Sequence, residues 1–199
     1  LTVHGVEPQY QHIRSLDLAH GRPMRFRDNE QALRVAIIGA DASTQLFGDR
    51  ESVGQSIDLN NLPYVVIGRL EKKDQDSSYS GPDNDKVFVP FTAMARDFPR
   101  TDAPRGVVSQ IIVAPKDWVV AGLPAVLDGR AGRIEDIDWP LEREVRRVLA
   151  VRHGFDPTDR NAVSMWDTTL QTLMFGRMVQ TMKDFFTIVG FVTLALGGL

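Results

Sequence analysis

Three evenly spaced histidines, His4, His12 and His20, are the first residues that could do chemistry, since imidazole carries protons near neutral pH and ligates metals. They fall on different expected elements, so no backbone geometry brings them to one ion, and they are taken as core or surface histidines. A second group is acidic: Asp74-Gln75-Asp76-Ser77-Ser78 followed by Asp83-Asn84-Asp85. A calcium-binding EF-hand loop counted from Asp74 needs Gly at its sixth position and Glu at its twelfth, and those places hold Tyr79 and Asp85. The expectation is a solvated loop. The chain contains no G-x-x-x-x-G-K-[ST], G-x-S-x-G or H-E-x-x-H, which removes the phosphate cradle, the serine nucleophile elbow and the helical zinc site. It contains no cysteine, so disulfides, thiol catalysis and Cys-ligated metal centres are excluded. No catalytic, cofactor-binding or metal-ligating residue is assigned, and the chain is read as no enzyme.

What remains is a surface. Met174, Met178 and Met182 recur at i, i+4 and i+8 and, with Leu170 and Leu173, make one stripe of a helix. Such a stripe packs against another helix or offers an adaptable contact face. Beyond it, Phe185–Leu199 carries no charge and almost nothing polar. A helix needs roughly 20 apolar residues to cross a bilayer core, so this run is expected to be the start of a transmembrane helix. Arg177 and Lys183 would snorkel at the membrane boundary, with Phe185 and Phe186 at the interface. The start at Leu1, without Met or a basic-then-apolar leader, reads as the middle of a longer protein.

Composition agrees with a globular domain. Of 199 residues, 25% are charged and 43% hydrophobic, and the net charge of -3 argues against nucleic-acid binding by bulk charge.

The elements that would position these groups follow from periodicity and turn residues. Strands are expected at 1–6, 34–38, 56–59, 64–70, 86–89, 107–114 and 162–166. Asn60-Asn61-Leu62-Pro63 is the hairpin turn between the third and fourth of them. Short helices are expected at 8–13, 40–47 (stopped by Gly48) and 91–98, and Gly21-Arg22-Pro23 as a turn. Leu141–His153 is the clearest helix of the globular part. Leu141, Val145, Val148, Leu149 and Arg152 share its inner face, Glu142–Arg146 is an ion pair on the outer row, and Gly154 is the cap. Asp167 is placed to cap the long helix that carries the Met stripe. The stretch 115–140, rich in Gly and Pro, allows only short helices.

Several of these segments resemble, in order, the extracytoplasmic core domain of MacB-like ABC-transporter permeases, in the broader FtsX/LolC group. Val3-His4-Gly5-Val6-Glu7-Pro8-Gln9-Tyr10 is similar to V-x-G-V-x-P-x-Y, and Gly21-Arg22-Pro23 to the G-R-x-F turn. Val35-Ala36-Ile37-Ile38-Gly39, Leu46-Phe47-Gly48 and Val53-Gly54-Gln55-Ser56-Ile57 follow the family's next three motifs. Val65-Val66-Ile67-Gly68, Val87-Phe88-Val89-Pro90, Arg152-His153-Gly154 and Leu194-Ala195-Leu196-Gly197-Gly198 complete the series. One departure is Asp117–Pro140, with Trp118 and Trp139, where the family usually passes directly from strand to helix.

The resemblance implies an α+β fold: a porter-like α/β subdomain with an inserted β-rich subdomain, then a stalk helix entering a transmembrane helix. Residues 1–8 would end the first porter segment, 9–105 form the insertion, 106–166 the second porter segment, and 167–199 the stalk and the start of the second membrane helix. It implies an extracytoplasmic domain of a bacterial inner-membrane permease, coupling cytoplasmic ATP hydrolysis by mechanotransmission to export or extraction of a substrate. Leu170, Leu173, Met174, Met178 and Met182 would be the coupling or packing face. The chain would hold no cofactor, ATP and Mg being bound by a cognate ATPase. Implied partners are that ATPase, a periplasmic adaptor or membrane fusion protein, a second permease in a homodimer or heterodimer, and membrane lipid at the C-terminus; nucleic acid is not among them. Two other readings stay open: a single-span anchored binding module, and an FtsX-like regulator of cell division.

Overall fold

The structure is a computed structural model describing residues 1–73, 81–104, 106–116, 140–166 and 168–197. The chain divides into two compact units, Leu1–Ala114 and Pro115–Leu199.

The first unit is one mixed sheet with helices on its faces. Its strands are β1 (Thr2–Val6), β2 (Leu18–Gly21), β3 (Val35–Ile38), β4 (Ser56–Leu59), β5 (Leu62–Leu70) and β6 (Lys86–Pro90). The order is β1-β6-β3-β5-β2, with β4 also on β5. β1 runs parallel to β6 and β3 parallel to β5, while β3–β6, β2–β5 and β4–β5 are antiparallel. Parallel neighbours need a crossover rather than a hairpin, so almost the whole unit lies in sequence between β1 and β6. β6 reads Lys-Val-Phe-Val-Pro and is buried at every position, as a strand covered on both faces must be. Val87 and Val89 point into one core with Ile38, Tyr64 and Val66. Phe88 points into the other with Ile37, Val6 and Leu70. Helix α3 (Ala40–Phe47) supplies Phe47 and α4 (Phe91–Asp97) supplies Ala93 to the first core, whereas Tyr10 of α1 (Gln9–Ile13) packs against the second.

Polar residues lock the elements together. Gly39, at the start of α3, crosses the 83–84 backbone so closely that a Cβ would stand 2.2 Å from the Asn84 carbonyl oxygen. Asn29 of α2 (Phe26–Glu30) donates to both Glu7 carboxylate oxygens at 3.0 Å and accepts from the Thr92 backbone at 3.1 Å, tying β1's end to α4. Arg22 holds Asp28 through two bonds of 2.7 and 3.0 Å. At the end of α4, Asp97 accepts from Arg34 Nε at 2.8 Å, Arg96 Nε at 2.6 Å and the Tyr64 hydroxyl at 2.8 Å. Arg96 first and Arg34 second hold its carboxyl far below the usual carboxylate range. The Asp97 side chain is 3% exposed but the two guanidinium groups are 46% and 40% exposed, so the cluster sits at the rim and is worth less than a fully buried pair.

Several expectations are corrected. The hairpin turn is only Asn60-Asn61, with φ of 52° and 64°, the pair of left-handed residues a two-residue hairpin demands; Leu62 and Pro63 already belong to β5. Gly21 ends β2, where only a turn was expected, and α2 follows. The acidic loop is not solvated at its end: Asp83–Asp85 is a 3₁₀ turn with Asp83 and Asn84 buried; residues 74–80 lie outside the described residues. The expected strand at 107–114 is unpaired and its Val107, Val108, Ile111 and Val113 are exposed. β-branched residues favour a strand only when a neighbour completes the ladder, and among the described residues none does. β1 is laddered to β6, so residues 2–6 lie in the same sheet as the strands that follow them.

In the second unit α5 spans Pro140–His153 and α6 spans Thr168–Gly197. Gly154, at φ 71°, caps α5 by donating to the Ala150 carbonyl at 2.8 Å. The inner face of α5 is turned from the expected one: Arg146 and Ala150 are buried, while Val148 and Arg152 are exposed. Arg146 therefore leaves the outer row. It donates to the carbonyls of Asp159 at 3.0 Å and Val163 at 3.3 Å. That contact fastens the segment expected as a strand at 162–166, which is irregular because a strand needs a ladder partner. Residues 117–139, with Trp118 and Trp139, and the Asp167 cap lie outside the described residues.

Gly39→Ala is expected to cost about 3 kcal/mol or more, since backbone rather than a side-chain tip would have to move; urea unfolding measures it. Asp97→Asn should cost about 2 kcal/mol at neutral pH. A depressed folded-state pKa stabilises above the unfolded value and is lost as pH falls through it, so the gap to wild type should stay constant above about pH 5 and narrow below about pH 4. Thermal melts across that range check the sign.

Candidate functional site

Helix α6 carries the stripe singled out in the sequence. It is unbroken over 30 residues, about 45 Å at the usual rise. The backbone of the stripe is helical throughout, so Met178 and Met182 fall one turn apart on one side. Both are exposed, as is Phe175, while Val179 is half-buried. The side chains of Leu170, Leu173, Met174 and Arg177 lie outside the described residues. Lys183 is exposed, and beside it Gln180 donates to Asp184 at 3.1 Å.

Past Asp184 the character changes. Phe185 and Phe186 meet edge to face with centroids 5.6 Å apart. Ile188, Phe191 and Leu194 continue the apolar run, with Phe191 79% and Leu194 81% exposed. In the sequence these residues form only a run; in the structure they are exposed on all sides of the helix rather than on one stripe. The two polar side chains in the run do not reach outward. Thr187 donates to the Lys183 carbonyl at 2.8 Å, and Thr193 to those of Val189 at 3.0 Å and Gly190 at 2.9 Å. Hydroxyls returned to their own helix leave an outer surface with little to offer water. A contiguous apolar surface of this kind marks a place where something else docks. Among the described residues no helix is long and apolar enough to cross a membrane.

A second surface belongs to the first unit. Leu1, Val3, Leu46, Phe47, Leu59 and Phe98 line an open groove edged by Asp58 and Asn60. The signal that could have found the groove is the Leu46-Phe47 pair at the end of α3, just before its glycine stop.

The three histidines do not converge: His4 lies on β1, half-buried, whereas His12 on α1 and His20 on β2 are exposed. His20 Nδ1 meets a Glu51 oxygen at 3.0 Å. No cluster with metal-ligand geometry occurs among the described residues.

The profile of the MacB-like periplasmic core domain matches residues 1–123. The chain belongs to that family. It is accordingly a MacB-like periplasmic core domain. Among its relatives, the macrolide export ATP-binding/permease protein MacB of Bdellovibrio bacteriovorus is 35% identical over 101 residues, 49% of this chain and 15% of that protein. The protein of the same name from Salmonella paratyphi A is 24% identical over 202 residues, covering 100% of this chain and 26% of its own length. The chain thus spans about a quarter or less of these two relatives. The crystal structure of the extracellular domain of the noncanonic ABC-type transporter YknZ from Gram-positive bacteria is 19% identical, with a TM-score of 0.48, covering 78% of this chain and 66% of that one.

An apolar helix surface is testable by partition. Phe191→Asp should weaken binding of the chain to phosphatidylcholine vesicles by at least about tenfold, since one large apolar group is worth roughly 1.5–3 kcal/mol on transfer and a charge reverses the sign. Vesicle flotation of both proteins reads the effect.

Proposed function

We propose that this chain couples ATP hydrolysis on the cytoplasmic side of the inner membrane to export or extraction of a substrate, by passing displacement along α6. The observation that carries the reading is the single uninterrupted helix that changes from a polar-striped to a wholly apolar surface after Asp184. A continuous hydrogen-bonded helix moves as a stiff rod, so a shift at one end is delivered at the other without loss into bending. In this reading Phe185–Leu199 enters the bilayer as the start of a transmembrane helix, with Arg177, Lys183, Phe185 and Phe186 at its interface. Leu170, Leu173, Met174, Met178 and Met182 form the coupling face against a neighbouring stalk helix of the same permease or of its dimer mate. Residues 1–8 and 106–166 form the porter-type part and residues 9–105 the inserted β-rich part, whose exposed loops meet a periplasmic adaptor. ATP and Mg are held by a cognate ATPase, fused or separate, and this chain binds no cofactor. The relatives' macrolide export names the kind of cargo such a transporter moves.

The test is made in the whole transporter. Met178→Pro removes a helix hydrogen bond and kinks the rod at a cost of about 3 kcal/mol or more. It should abolish export while the first unit keeps its melting profile, and Met178→Leu should retain export. Unchanged export in the proline variant would overturn the coupling role of α6.

A further inference from the structure

We propose that His4 is an acid-sensitive latch that holds the edge strand β1 to β6 and α1 only while its ring is neutral.

Strand alternation places His4 on the same face of β1 as Val6, directly opposite Phe88 in the parallel register. The imidazole packs against Phe88 with ring centroids 6.1 Å apart, and Tyr10 of α1 covers the same phenyl ring at 5.8 Å. His4 Nε2 is buried without a hydrogen-bond partner among the described residues. A neutral ring tolerates that site, because an unprotonated nitrogen left against aromatic carbon forgoes one modest bond. A protonated ring would bury an N–H⁺ with no acceptor, which costs far more.

The surrounding charges make the case stronger. Lys86, on the same face of β6, gives its ammonium to Asp83 Oδ1 at 2.9 Å. Arg14, just past α1, gives a guanidinium nitrogen to Asp83 Oδ2 at 2.9 Å. Two cations thus already share this carboxylate, and Tyr10, also packed here among the described residues, carries a phenol that is neutral at physiological pH. Burial first and the Lys86 charge second push the imidazole below its ordinary value, against the weaker pull of Asp83. With the folded-state value depressed, the unfolded chain takes up a proton more readily. Stability from this site is therefore present above about pH 6.5 and is lost as pH falls below it. β1 is where the loss should show, because among the described residues it is the sheet's end strand with a ladder on one side only, and such strands open locally before the core does.

The experiment compares the 199-residue chain with its His4→Gln and His4→Phe variants between about pH 7.5 and 5. Hydrogen exchange resolved at the amides of Val3–Val6 is read with the ring-carbon NMR shift of each histidine. Wild-type protection in β1, corrected for intrinsic exchange, should fall by up to about tenfold per pH unit below about 6.5, while both variants stay flat. His4 should titrate below the ordinary imidazole value of about 6.5. If it titrates at or above that value, or if wild type and a folded variant share one pH profile, the latch is wrong. His4→Phe, which keeps the ring against Phe88, serves if the glutamine variant does not fold.

Discussion

A strand buried on both faces that nevertheless begins with a lysine is the constraint on which the first unit turns. β6 joins the two cores, sending Val87 and Val89 to one and Phe88 to the other. Its place between β1 and β3 leaves Lys86 3% exposed. An unpaired ammonium there would cost several kcal/mol. Asp83 must therefore be drawn inward, and with it the 3₁₀ turn at Asp83–Asp85, which explains why an acidic stretch that looks like solvated loop ends in the core. Once that turn is inside, the residue that caps α3 has to pass over it, and only a glycine fits at position 39. Arg14 completes the charge balance from the end of α1. One buried cation thereby sets the positions of a turn, two helices and the neighbouring strand.

The polar side chains of this unit are spent mainly on joining elements distant in sequence. Asn29 connects the end of β1 to α4, Asp28 anchors the Arg22 turn, and Asp97 collects donors from Arg34 beside β3, Tyr64 of β5 and Arg96 of α4. The second unit differs in kind. Its long helix exposes large apolar side chains on every side beyond Asp184 and folds its threonine hydroxyls back on itself.

Elements whose signals are local can be read from the chain alone. Asn60-Asn61 dictates a tight turn because adjacent left-handed residues admit little else. Gly48 and Gly154 end their helices at left-handed backbone positions, and α6 is legible in its Met stripe and the apolar run that follows it. The ordered motifs also reached the family. Burial and pairing between residues far apart in sequence became visible only in the folded chain. Val107–Ala114 has every intrinsic preference for a strand, yet none of the described residues lies alongside to complete a ladder. Arg146 looks like half of a surface ion pair, yet it is buried because the carbonyls of Asp159 and Val163 accept from it. Lys86, Asp83 and His4 look like ordinary surface charges until β1 and β6, separated by most of the unit's chain, are laddered together. Turn and helix signals are written within a few residues of where they act, whereas the cost of burying a charge is set by whichever distant groups the fold brings to it.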